Sequence, residues 1–493
     1  VHALIVAPTA FFEFHFETDL EIAERHLVAG DRVTVMLCNG DLLACEANAT
    51  HEAGRCARCI GRGREGISRL SGKPEVVPFL QLTERDREEL RGIKTDWATR
   101  EEMNDFAVDN FDAGWAAQST LASLFMSPDI DMQGQRDQIR RTILSSVAAY
   151  RSVQNFLSRE KVDRLYVFNG RYATMRAAMR AAQSRGVPFS IHERGSSFER
   201  FSLFENHAPH DLDFFQNEVR RTWEQADPEL RELIGASFYA DRVAGTQSDW
   251  HSYAAKQETG KLPETWKHGA KNVVIYCTSA DEIDSLRELV TGQTLYQDQY
   301  AGIDKILESA QQHPDLNFFV RMHPRSATMP ERAGKRLAAR RQPNLTVVPG
   351  DSPISTYAMM RKATRVLSFG STTGLEATYW GIPSILGYRS YFDTLGSIHI
   401  PKSHDEMMQL IVGADTPPAN KLGALMYGYF MKTFGMPFRY NRPTGLTGGA
   451  FKTAPLKPHV AFRTAGWLLE RPVLRDVTRR LHLRLADRKM LGT

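Results

Sequence analysis

The sequence predicts an α/β protein of two Rossmann-like domains, with a helical insertion in the first and an amphipathic helix at the C-terminus. Three observations lead there. Short β-branched and apolar runs alternate with helix-length amphipathic segments over residues 2–37 and 163–193, and again over 272–386. At 493 residues the chain is too long for one ordinary core and suits two. A polar stretch from about residue 242 to 271, with Gly245, Gly260, Pro263 and Gly269, reads as the connection between them.

The first domain, expected over residues 1–250, opens with a strand at His2–Ala7, a helix over 18–29 and a strand at Arg32–Leu37. Four cysteines follow within 38–59. Residues 84–160, rich in Glu, Arg, Ala and Leu, read as a helical insertion able to contact an acceptor or a partner. The parallel pattern resumes with DRLYVFNG (163–170), a helix over 173–185 and the strand VPFSIHE, which delivers Glu193 at its end. The second domain, expected over 271–420, starts with the strand NVVIYC and the hydroxyls of Thr278 and Ser279, followed by Asp281 and Glu282. Helices over 299–312, 327–340, 353–361 and 373–380 then alternate with strands over 316–321, 344–348, 364–369 and 383–386. Residues 421–493 are expected to form a helical tail. No internal repeat is evident, and no G-x-G-x-x-G follows the first strand, which argues against a dinucleotide oxidoreductase.

Apolar content of 42% and charged content of 24% are those of a globular protein in water. No run of about 18 apolar residues predicts a spanning helix. The opening VHALIVAPTA lacks a basic region and a cleavage site and reads as a strand, so a cytoplasmic location is expected. The net charge of +4 conceals an asymmetry: residues 457–493 carry nine Lys/Arg against three Asp/Glu, which is +6 and leaves −2 for the rest. There Val477, Leu481 and Leu485 repeat at helical spacing, with Arg475, Arg479, Arg480, Arg484, Arg488 and Lys489 between them. Such a helix suits an anionic membrane surface. The plain alternative is a terminal helix packing its apolar stripe onto the domain. A nucleic-acid partner is not expected, because no recognisable module accompanies the basic segment.

The cysteines Cys38, Cys45, Cys56 and Cys59 are spaced C-x6-C-x10-C-x2-C. Clustering in a reducing compartment favours metal binding over disulfides. A structural zinc with four thiolates is expected, which leaves no open position for chemistry. An iron–sulfur cluster is the second choice and free buried thiols the plain one, as expected for Cys277.

Two motifs carry candidate ligand chemistry. In VLSFGSTTGLEATYWGIPSIL (366–386), a strand ends at a small-residue turn, so Ser371, Thr372 and Thr373 can approach a phosphate, and Glu376 can reach back toward a sugar hydroxyl. Ordinary helix capping is the alternative. In NFFVRMHPR (317–325), an apolar strand runs into Arg321, His323 and Arg325, with Pro324 keeping His323 out of helical geometry. Ligands of open parallel sheets bind at such strand ends, whereas His313-Pro314 falls in a helix-to-strand loop. Arg171, after the Asn169-Gly170 turn, is a candidate for an acidic sugar or phosphate, or else a solvated arginine. Tyr276, Tyr379 and Trp380 could stack on a ligand or simply pack.

Together RMHPR and SFGSTTGLEATYWGIPSIL resemble the bacterial capsule and surface-polysaccharide biosynthesis proteins, GT-B-type glycosyltransferase-like proteins with sialyl-, Kdo- and glycerophosphate-transferase relatives. The resemblance spans roughly residues 160–410 and extends to FHFETDLEIAERHLVAGDRV near the N-terminus. It implies metal-independent transfer of a sugar from a nucleotide-sugar donor to a polysaccharide or glycolipid acceptor, in a cleft between an acceptor domain and a donor domain. It also implies roles. Glu193 with Gly195 matches an acidic-Gly motif that carries the catalytic base, although Arg194 intervenes and His192 replaces the first acid. His323-Pro324 matches a motif on the donor phosphate, and Ser371-Thr372 one on the donor. Arg321, Arg325, Thr278, Ser279, Thr373 and Glu376 would complete the donor site. Glu17, expected in the loop after the first strand, is the reserve base, with His15 beside it and Arg171 on the acceptor side. A nucleotide-sugar epimerase of the same architecture and a non-catalytic scaffold of polysaccharide assembly are the rival expectations.

Overall fold

The computed structural model describes residues 1–127, 129–246, 256–279, 286, 294–327, 332–445 and 447–492. It comprises two compact units: Val1–Phe125, Ile130–Pro209 and Gly435–Thr493 in one, Met126–Asp129 and His210–Phe434 in the other.

In the first unit, β1 (His2–Ala7), β2 (Arg32–Leu37), β3 (Glu75–Pro78), β4 (Arg164–Phe168) and β5 (Phe189–Arg194) are parallel, and β6 (Arg200–Glu205) returns antiparallel to β5. The sheet order is β3-β2-β1-β4-β5-β6, with Met436–Pro437 added antiparallel at the edge. β1 lies fully buried at the centre, and its continuous apolar run suits a strand covered on both faces. The helix His15–Val28 follows β1, and Ala173–Ser184 connects β4 to β5. The insertion consists of Glu84–Gly92, Arg100–Asn104, Ala113–Phe125 and Arg136–Arg159. Trp97, Met103, Ala117, Leu121, Ile139 and Ile143 give it a small core of its own.

In the second unit, β7 (Lys271–Tyr276), β8 (Leu316–Arg321), β9 (Leu345–Val348), β10 (Arg365–Ser368) and β11 (Ser384–Leu386) form a wholly parallel sheet in the order β11-β10-β7-β8-β9. The helices Gln299–Ser309, Arg332–Ala339, Thr356–Lys362 and Thr373–Tyr379 alternate with its strands. The apolar core is split between its two faces. Ile303, Ile306, Phe318 and Phe369 lie in one cluster, while Val274, Phe319, Met359 and Met360 lie in the other.

Several expectations shift. The N-terminal part of the first unit ends at Pro209 rather than near 250, and the helix Arg231–Ala244 belongs to the second unit. The expected connection at 242–271 includes residues 247–255, which lie outside the described residues, as do Asp281, Glu282 and residues 328–331 of the helix expected at 327–340. The segment from 421 is not a simple tail. The helix Leu422–Thr433 belongs to the second unit, whereas from Gly435 the chain belongs to the first. There the side chain of Glu21, with no solvent exposure, accepts from the backbone N–H groups of Arg439 (2.8 Å), Tyr440 (2.8 Å) and Asn441 (2.9 Å), fixing the returning strand.

Candidate functional site

Both units share one topological feature. In the first, β2 and β3 lie on one side of β1 while β4 and β5 lie on the other. In the second, β8 and β9 flank one side of β7 while β10 and β11 flank the other. Successive crossovers therefore diverge between β1 and β4 and between β7 and β10, and open α/β sheets bind ligands outside the C-terminal strand ends at such a switch point.

In the first unit this edge collects titratable groups. The helix after β1 starts at His15, earlier than expected, and is preceded by Phe14 at a positive φ of 70°. Glu17 therefore sits in the first helical turn, not in the preceding loop. It is buried and ion-paired to Arg62, which also donates to the Ala10 carbonyl. Burial raises its pKa against the opposing pull of Arg62. Glu17 is thus an internal counter-ion with one oxygen, Oε2, left unpartnered. His15 stacks on Phe168 at 3.7 Å between ring centroids, 6.5 Å from His192. Burial, then Arg194 and His192, lowers its pKa well below the usual value, so it stays neutral, with a buried Nδ1 lacking a partner.

Glu193 is the next-to-last residue of β5 and half-buried. Asn169, in the left-handed region at the end of β4 (φ 61°), donates from Nδ2 to its Oε1 at 2.6 Å, and the Arg194 N–H reaches Oε2 at 3.3 Å. Beside it lies a pair that the sequence reading missed: His192 Nε2 meets Asp19 Oδ1 at 2.8 Å in full burial. Burial raises the Asp19 pKa against the pull of His192. Only the HERG motif hinted at His192, and nothing local marked Asp19, 173 positions away. Arg171 is not presented as a lone cation. It donates to Ser119 (3.1 Å), Ser123 (3.2 Å) and Tyr172 (2.8 Å), tying the helical insertion to the end of β4.

In the second unit, Arg321 closes β8 with only 3% exposure. Its Nη2 donates to the Ser352 carbonyl at 3.0 Å, while Nε and Nη1 are buried without a partner. Burial lowers its pKa against the pull of Tyr276 and Asp351. His323 and Arg325 follow, with a short 3-10 turn at Pro324–Ala327. The Arg325 N–H donates to His323 Nδ1 at 3.3 Å, and Gly350 packs against the His323 carbonyl so closely that a Cβ would lie 2.4 Å from it. At the switch point, Thr278 and Ser279 follow β7, while Gly370, Ser371 and Thr372 follow β10. Thr278 is held at both backbone groups by Gln299 (3.0 and 3.1 Å), and Thr373 Oγ1 donates to Ser371 at 2.9 Å. Glu376 departs from expectation. At 2% exposure it accepts from Tyr357 (2.8 Å) and Thr372 (3.0 Å) and lies 3.7 Å from Arg242, so it positions Thr372 from beneath. Tyr276 and Tyr379 are packing residues, one bonded to the Thr356 carbonyl and the other stacked on Tyr239.

Cys38, Cys45, Cys56 and Cys59 line a single cavity of about 20 Å³ in the first unit. Burial pushes the Cys38 thiol up to about 12 and that of Cys56 up to about 11. Cys277 is buried in the second unit. The terminal helix, Pro472–Leu491, corrects the packing alternative. Its buried residues are Ala486, Met490 and Leu491, while Val473, Val477, Leu481 and Leu485 stand 87, 62, 57 and 48% exposed.

No protein-family model matches the sequence, and no curated protein does. Among solved structures, the chain is similar to Thermosulfurimonas dismutans KpsC, a beta Kdo 2,4 transferase, with 14% identity over 63% of this chain and 88% of that one, at a TM-score of 0.39. It is similar to a UDP-GlcNAc 2-epimerase from Neisseria meningitidis at 13% identity, over 87% of this chain and 97% of the other, with a TM-score of 0.31. For the glycosyltransferase SnogD from Streptomyces nogalater the values are 12% identity, 98% and 99% coverage, and 0.23.

Proposed function

We propose that the protein is a glycosyltransferase that moves a sugar from a nucleotide-sugar donor to a surface or capsular polysaccharide or a glycolipid. The observation that carries the reading is Arg321. A guanidinium buried at a strand end with two unpartnered donor nitrogens is costly by itself, and an anion would satisfy it. Thr278, Ser279, Ser371, Thr372 and Thr373 lie at the adjoining switch point, and His323 and Arg325 follow the same strand. This set suits a leaving nucleoside phosphate, whose developing charge needs cations and hydrogen-bond donors. In this reading protein cations do that work and no catalytic metal is needed.

The acceptor hydroxyl must lose a proton. We assign that role to Glu193, half-buried and oriented by Asn169, with the neutral His15 as a contact for the acceptor. Glu17 is the weaker candidate because Arg62 already neutralises it. We further propose that the acceptor is met at an anionic lipid surface. Among the described residues no helix is long and apolar enough to cross a membrane. The exposed apolar stripe of Pro472–Leu491, set among arginines, suits attachment in the interfacial plane.

The test is a thermal-shift screen of CMP-, UDP-, GDP- and CDP-linked sugars, followed by turnover with and without acceptor. A donor that binds only the folded protein raises its stability. Acceptor-dependent transfer, unaffected by brief chelation, supports the proposal. Conversion of the donor without an acceptor indicates an epimerase, and no stabilisation by any nucleotide overturns both readings.

A further inference from the structure

We propose that Cys38, Cys45, Cys56 and Cys59 bind one zinc ion as a closed four-thiolate centre, and that this centre braces the platform on which the C-terminal helices dock. The four residues come from different places: Cys38 follows β2, Cys45 lies in the irregular stretch after it, and Cys56 and Cys59 lie in the helix Ala53–Ser68. The fold nevertheless brings all of them to the wall of one cavity large enough for a single small ion.

The second observation is the hydrogen bonding around the sulfurs. The Gly40 N–H donates to Cys38 Sγ at 3.3 Å, Asn48 Nδ2 to Cys56 Sγ at 3.2 Å, and the Ala10 N–H to Cys59 Sγ at 3.3 Å. Thr9 Oγ1 adds a contact of 3.7 Å to Cys59. An N–H can only donate, and a neutral thiol is a weak acceptor, whereas a metal-bound thiolate is a strong one. Thiols buried merely as small apolar groups have no need of three such donors. Arg55, also on the cavity wall, opposes the −2 charge of a zinc ion with four thiolates. Among the described residues no group of three or more His, Cys, Asp or Glu side chains already forms a metal cage. The sulfurs would therefore turn inward from the walls to reach the Zn–S distance of about 2.3 Å. Each thiol gives up its proton to solvent as its sulfur coordinates, and no oxidant or reductant is required.

The cysteine-bearing segment is also where the C-terminal helices attach. A Cβ on Gly54 would lie 2.4 Å from the Gly466 carbonyl, and one on Gly61 would lie 2.5 Å from Phe462 Cβ, so Ala53–Ser68 and Val460–Leu469 meet almost backbone to backbone. Arg58 pairs with Glu470 (2.5 Å), Glu52 with Arg475 (3.0 Å) and Asp41 with Lys489. His51 lies 4.6 Å from His482 between ring centroids. These partners all fall between positions 41 and 61, within or beside the loops that the four cysteines would cross-link. Holding that stretch in one conformation holds the docking face of both helices.

The experiment uses the full chain, purified under reducing conditions without a metal-binding tag. Elemental analysis should find about one zinc per chain, and cobalt in its place should give the thiolate-to-metal charge-transfer band of a tetrahedral four-sulfur site. Cys38→Ser and Cys56→Ser should abolish that band, whereas Cys277→Ser should leave it intact. Should the site variants fail to fold, wild-type protein still decides: zinc should protect four thiols from a thiol reagent, and its removal should expose residues 457–493 to limited proteolysis. Thiols that react equally with and without added zinc overturn the proposal. So does iron with acid-labile sulfide in place of zinc, or loss of the cobalt band in Cys277→Ser.

Discussion

Replacing Arg321 separates a ligand-binding cation from a structural one, because the two roles predict opposite effects on stability. Methionine is the chosen substitute, since its unbranched chain fills the space of the arginine stem. In the free protein the change removes one hydrogen bond to the Ser352 carbonyl, worth about 1 kcal/mol. It also removes two buried donor nitrogens that lack partners, each costing about 1–3 kcal/mol. The net effect is therefore near zero or stabilising, and the Tm, which shifts about 2–4 °C per kcal/mol for a domain of this size, should hold or rise. In the proposed donor complex, the same two nitrogens face a phosphate. Their loss should cost about 1.5–3 kcal/mol each, which together weakens binding by at least about a hundredfold. Calorimetric titration of Arg321→Met with nucleoside mono- and diphosphates, beside a thermal melt, measures both effects. A lowered Tm with unchanged affinity would make Arg321 a structural cation and remove the basis for the donor site.

Glu193→Gln should abolish transfer while donor binding persists, because the amide keeps the shape but cannot take the acceptor's proton. Glu17→Gln should leave turnover within a few fold, and whichever variant loses at least about a hundredfold carries the base. Leu481→Asp with Leu485→Asp should detach the chain from vesicles containing anionic lipid. High salt should weaken wild-type binding, as surface charges are screened over about 8–10 Å, and absence of wild-type binding at low salt refutes the attachment. Burial, with His482 and Arg141 facing it, lowers the His51 pKa to about 3, so the unfolded chain takes up a proton below about pH 6.5 and the folded chain does not. Stability from this residue is complete above pH 6.5 and falls by about 1.4 kcal/mol per pH unit toward pH 3. In His51→Gln, acid melts followed by circular dichroism should show a correspondingly flatter slope, and an unchanged slope would contradict the burial argument.

The alternation of strands and helices was legible in the sequence because period-2 and continuous apolar runs, Gly and Pro breaks, and helix-length amphipathic segments are local signals. The boundaries of β1, β2 and β8 were read to the residue. The strand ends next to Glu193 and before Ser371 were read to within one residue, since the polar residue ending an apolar run needs no tertiary context to be seen. The short strands β3 and β6 were missed. β3 is four residues long and largely exposed, and β6 exists only because β5 offers it an edge. The order of strands in each sheet was not legible either, and it decides which ends adjoin: β4 beside β1, β10 beside β7. Carboxylate roles needed the tertiary structure most. Glu17, Glu21 and Glu376 look alike in sequence, yet each is buried against a different distant partner, respectively Arg62, the backbone of 439–441, and Tyr357 with Arg242. A buried charge must find its counterpart wherever folding brings one, so its role follows from long-range packing, whereas the strand that carries it follows from the residues on either side.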